Sequence, residues 1–164
     1  KECRGRFIEI GSLDFIKAGT GCCYDRARLT EQSLQYYGFK VRHIHLNHSD
    51  NKGFLNTLIP GTQSHATTEV LTSEGWMGVD SNEQFILINK DNRPITYLEA
   101  IEDGLADKLS ESGFYKSPTI YIIGLYSRNG TFIKPYLPFF PELNYVDFLK
   151  NISSIRIIYP NISG

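Results

Sequence analysis

Apolar and polar positions along the chain mark out a series of helical and extended stretches. Beyond Thr20-Gly21, the residues Ala27, Thr30, Leu34 and Tyr37 recur at helical spacing and predict a helix from about Cys23 to Tyr37, with Gly38 as its stop. Phe39 to Leu46 is β-branched and aromatic enough for a strand, although Lys40, Arg42, His43 and His45 leave its buried face undecided. Asn47 to Gln63 is a long connection of the kind that binds something or moves, and its Phe54-Leu55 and Leu58-Ile59 pairs predict partial packing. His65–Leu71 and Trp76–Val79 flank Thr72-Ser73-Glu74-Gly75 and predict a hairpin, with Phe85–Asn89 as a third strand. Thr96-Tyr97-Leu98-Glu99 has the spacing of a capping box and predicts a helix to about Leu109, weakened at Gly104 by roughly 1 kcal/mol relative to Ala. Thr119–Tyr126 and Ser153–Tyr159 read as strands, and Glu142–Lys150 as a short helix after Pro141. Strands that follow one another in the middle of the chain, without regular βαβ alternation, predict an α+β fold with helices segregated from an antiparallel sheet.

Composition fits that picture of one domain. The chain has 164 residues, 41% hydrophobic and 21% charged, and no repeat or linker divides it. A net charge of -1 without clustered Lys or Arg excludes nucleic acid as an expected partner. The longest apolar run, around Tyr121–Tyr126, is far short of the roughly 20 residues of a membrane-spanning helix. Oligomeric state is left open, and of the compartments a cytoplasmic one is favoured. Cys3, Cys22 and Cys23 are the only cysteines, too few for a framework of bridges. The start at Lys1, with no Met before Met77, leads to the expectation that some N-terminal sequence precedes it. Asn47, Asn129, Asn151 and Asn161 open N-x-S/T triplets, for which chance is the default reading. Tyr136–Pro141 is apolar for a loop and predicts packing against the sheet.

The chemistry lies in three ordered stretches: Gly21–Ala27, Ser64–Ala66 and Gly75–Asp80. A thiol at a helix start, near unpaired N–H groups and the positive end of the dipole, favours thiolate and has oxyanion donors at hand. Cys23 is the first candidate, but adjacent Cys22 leaves the choice of thiol open. A tight turn would place His65 and Asp80 roughly opposite each other on paired strands, where a base and the group that fixes its tautomer could bond. Trp76 is a candidate substrate contact whose competing role is hairpin anchor. His43, His45 and His48 match no metal-ligand spacing, so neither metal nor cofactor is expected.

These stretches resemble transglutaminase-like domains. Gly21-Cys22-Cys23-Tyr24-Asp25-Arg26-Ala27 resembles their G-x-C-x-D-x-A segment. His65-Ala66-Thr67-Thr68-Glu69-Val70 and Trp76-Met77-Gly78-Val79-Asp80 resemble H-A-x-x-E-V and W-x-x-V-D. Arg42 on the intervening strand also fits the pattern. The resemblance covers about Gly21 to Ser81 and implies a papain-like core with the nucleophile-bearing helix packed on an antiparallel sheet. It selects Cys23 as nucleophile, with His65 as acid/base and Asp80 as its orienter. The implied reaction is thioester formation at an amide of a protein, peptide or peptide-like substrate, completed by water or an amine. The chain departs from the family pattern at Thr67, where many relatives have Trp, which marks Thr67 as a substrate-side position. Ser81 stands where Pro often follows the Asp. Residues 1–22 contain neither Gln nor Trp to serve as a second oxyanion donor. A non-catalytic binding or scaffold domain that keeps the fold is the alternative expectation.

Overall fold

The computed structural model describes residues 21–49, 63–124 and 155–159. Cys3, the Phe54–Ile59 apolar pairs, Tyr136–Pro141, the expected helix Glu142–Lys150 and the triplets at Asn129, Asn151 and Asn161 lie outside these. Helix α1 spans Cys23–Tyr36. Strands β1 (Val41–His48), β2 (Ser64–Thr72), β3 (Gly75–Asp80) and β4 (Phe85–Ile86) follow. Two short helices come next, α2 (Tyr97–Glu102) and α3 (Leu105–Leu109), then a 3-10 turn at Phe114–Lys116. The described chain closes with β5 (Thr119–Ile123) and β6 (Arg156–Ile158). The strands form one antiparallel sheet in the order β4-β3-β2-β1-β5-β6, which gives the protein an α+β character.

Local chemistry explains most boundaries. Gly38 adopts φ +85° and ends α1. Thr96 Oγ1 accepts from the Glu99 N–H at 3.3 Å while Glu99 Oε2 accepts from the Thr96 N–H at 2.7 Å, completing the predicted capping box. The helix it opens is shorter than expected, because Gly104 takes the left-handed conformation at φ +68° and divides the segment into α2 and α3. The predicted third strand is likewise reduced to Phe85–Ile86, with one further bridge between Ile88 and Pro94.

Both faces of β1 are covered, which resolves the ambiguity of its sequence. His43 pairs with Glu31 of α1 at 2.5 Å, and across the ladder Thr68 donates to the Ala27 carbonyl at 3.3 Å, so this face supports α1. Ile44 and Leu46 point the other way, into a core with Leu87, Tyr97, Ile101, Tyr115 and Tyr121. Buried Asn47 is only 7% exposed and so is a poor glycan acceptor. Within that core, Glu69 is fully buried, and its carboxylate accepts from Arg42 Nε at 2.7 Å and from the Tyr97 N–H at 2.8 Å. Burial raises the Glu69 carboxyl above its ordinary range, with Arg42, Tyr97 and Tyr121 acting in the opposite direction.

Gly78 is required by packing. A Cβ there would stand 2.4 Å from Leu87 Cδ1 and 2.8 Å from the Tyr97 ring. Gly78→Ala is therefore expected to destabilise the fold by about 1–3 kcal/mol through overpacking, seen as a lower urea midpoint with an unchanged slope. A midpoint equal to that of the unsubstituted protein would show that the ring and Leu87 yield freely.

Candidate active site

The site is assembled where α1 begins and where β2 and β3 run out. Cys22 is the N-cap of α1 in extended conformation, and Asp25 Oδ2 accepts from its N–H at 2.9 Å. This carboxylate, three residues into the segment, anchors the helix start, a role that the spacing of a capping box could have indicated. Cys23 is the first helical residue, so the helix offers no acceptor for its backbone N–H. Of the adjacent thiols, Cys22 is engaged in a disulfide, and Cys23 is free and partly exposed. The structure thus leaves Cys23 as the available thiol of the pair.

His65 and Asp80 meet, but not directly opposite each other. The β2–β3 turn has two residues between the paired Thr72 and Gly75, and the Thr72 hydroxyl donates to the Gly75 carbonyl at 2.8 Å. The register runs from there to Thr68 opposite Val79, so that continuing it by one pair places Thr67, not His65, across from Asp80. His65 is the diagonal neighbour on the same face, a spacing that long side chains can bridge. His65 Nε2 and Asp80 Oδ2 are 2.6 Å apart. The other Asp80 oxygen accepts from the Asn82 and Glu83 N–H groups at 2.9 and 2.8 Å, which fixes the carboxylate against the β3–β4 turn.

The Cys23 side chain lies close enough to act on the same imidazole and favours its charged form. With Nε2 committed to Asp80, Nδ1 is the ring nitrogen left for sulfur. Burial would lower the His65 pKa, but the bond to Asp80 and the negative charge of Asp80 and Cys23 outweigh it and push it up to about 10. Burial would conversely raise Asp80, yet the His65 partner and the surrounding donors hold it below its ordinary value.

Aromatic residues beyond the sequence motifs enclose the pair. The Phe114 ring lies 5.6 Å from the His65 ring and Tyr115 meets it edge-on at 6.2 Å. Tyr115 also donates its hydroxyl proton to Asp80 Oδ2 at 3.1 Å. On the neighbouring strand, buried His45 lies across from Ala66; burial drives it down to about 3, so it stays neutral.

The two positions marked for substrate contact lie elsewhere. Thr67 is 1% exposed, and its hydroxyl is 2.6 Å from the Tyr97 hydroxyl inside the core. Trp76 is four residues from Asp80 along β3, about 13 Å at strand spacing, and packs under the Arg42 guanidinium at 4.2 Å from its ring centroid. Its place is that of a hairpin anchor. A shallow cavity of about 220 Å³ at that end, lined by Thr72, Glu74, Met77, Ile88 and Pro94 among others, contains none of the three site residues. Among the described residues no three His, Cys, Asp or Glu side chains come together as a metal site, and no helix is long and apolar enough to cross a membrane.

These titrations predict how stability depends on pH. The raised His65 value contributes stability that is complete below 6.5 and is lost as the pH rises through about 10. The depressed His45 value contributes stability that is complete above 6.5 and drains away as the pH falls toward 3. The lowered Asp80 adds a further loss below 3.8. Urea midpoints are expected to peak near pH 6.5, and His45→Gln is expected to flatten the acid side between pH 6.5 and 5. An unchanged acid slope in that variant would exclude His45 as its source.

Comparison of the chain with protein-family models, with curated proteins and with solved structures gives no match.

Proposed function

We propose that the protein is a transglutaminase-like thiol enzyme with a papain-like core, acting on amide bonds of a protein, peptide or peptide-like substrate. The observation that carries this reading is one buried imidazole held 2.6 Å from a fully satisfied carboxylate and acted on by the only free thiol among the described residues. In the reaction, the Cys23 thiolate attacks the amide carbonyl and the Cys23 N–H at the helix start receives the developing oxyanion. The charged His65 gives its proton to the departing amine, the C–N bond breaks, and a thioester remains on Cys23. Asp80 holds the ring in position and its charge favours the imidazolium. Neutral His65 then takes a proton from the water or amine that attacks the thioester, and Cys23 departs as thiolate. Hydrolysis is the preferred outcome, with an acceptor amine giving transamidation.

An activated ester tests this without knowledge of the substrate. p-Nitrophenyl acetate is expected to give a burst of nitrophenolate stoichiometric with protein, lost in Cys23→Ala. Absence of a burst would favour the alternative, a binding or scaffold domain that keeps the same fold.

A further inference from the structure

We propose that Tyr115 is a positioning residue for the site: its hydroxyl shares the Asp80 oxygen that bonds His65, and so sets how firmly Asp80 holds that ring. The proposal rests on the triad reading above and adds a residue far from the three sequence motifs. Asp80 Oδ2 takes the His65 Nε2 contact at 2.6 Å and the Tyr115 hydroxyl at 3.1 Å. Two donors on one oxygen divide its negative charge between them, so each weakens the hold of the other.

The Tyr115 ring has little freedom to leave. It is 1% exposed, stacks with Tyr97 at 6.2 Å between ring centroids and meets Phe114 edge-on at 5.3 Å. The hydroxyl of the stacked Tyr97 lies 2.6 Å from that of Thr67. A hydroxyl has one proton, and Tyr115 directs its own to Asp80. Burial raises both phenols well above their ordinary values, so they remain protonated donors.

The other charged or titratable groups that face this cluster come from several elements. Cys23 of α1 and His45 of β1 face His65, while Glu69 of β2 acts on Tyr97 and Glu83 after β3 acts on Tyr115. None of them is altered by Tyr115→Phe, which keeps the ring and removes one oxygen.

The test is an NMR titration of ¹⁵N-histidine-labelled protein, with the His65 signals assigned through His65→Gln. Freed of its competitor, Asp80 should hold the His65 proton more firmly. In Tyr115→Phe the His65 midpoint is expected to move up by about one pH unit, the size of one hydrogen bond to a charged acceptor. A purely structural role for Tyr115 would lower stability and leave that midpoint in place, and an unmoved or lowered midpoint overturns the proposal. If Tyr115→Phe does not fold, 3-fluorotyrosine at position 115 keeps the ring and makes its hydroxyl a stronger donor to Asp80, and is expected to move the midpoint down; no movement overturns the proposal there too. The readout needs no turnover. A shifted midpoint without an ester burst would keep the Tyr115 coupling and reject the enzyme, and a burst with an unmoved midpoint would do the reverse.

Discussion

Replacing His65 with Ala is expected to slow alkylation of Cys23 by limiting iodoacetamide at pH 6 by roughly 10²-fold. An ordinary thiol is only about 0.3% thiolate at that pH, and thiolate is the reacting form. In this site the thiol neighbours an imidazole that burial alone would discharge but that Asp80 and Cys23 keep charged up to about pH 10. Removing the ring removes the cation that stabilises the sulfur anion. Peptide mapping by mass spectrometry identifies the labelled position, and Cys22, tied in its disulfide, should stay unlabelled without reductant. Equal rates in the two proteins would show that His65 does nothing for the thiol.

Asp80→Ala should be the most damaging single truncation in the site, costing about 3–5 kcal/mol, because it strands a buried cation. The carboxylate is 1% exposed and accepts from His65, Tyr115 and the Asn82 and Glu83 N–H groups. Alanine leaves all four without their acceptor. For a chain of this size the loss corresponds to a fall of roughly 10 °C in melting temperature. Asp80→Asn separates architecture from chemistry. Its amide oxygen can still accept the two turn N–H groups, so part of the stability should return. The negative charge is gone, so Cys23 alkylation should stay as slow as in the alanine variant. If Asn restored both stability and reactivity, the charge of Asp80 would be irrelevant to the thiol.

Much of this site was legible because local rules fix its parts. Glycine at 38, the Thr96–Glu99 box and the short turn around Ser73-Glu74 each act within a few residues, and each forms close to where the sequence places it. The errors arise where a longer-range choice decides. Expecting His65 opposite Asp80 required the register, which the two-residue turn sets so that the pair is diagonal. The helix past Thr96 divides because Gly104 adopts a left-handed conformation where its sequence suggested only a weak spot. Tyr115 and Phe114 reach His65 only because β5 returns to pair with β1 on the far side from β2, and no local periodicity encodes that. The burial of Thr67 likewise follows from Tyr97 packing over it. Trp76 lies at the far end of β3 because strand length, and not motif membership, sets its distance from Asp80.

The most direct test is to quench the p-nitrophenyl acetate burst in acid and locate the acetyl group by tandem mass spectrometry. The proposed mechanism predicts a single acetyl thioester on Cys23, formed far more slowly in His65→Ala. Acetylation at another residue, or on Cys23 at the same rate without His65, would contradict it.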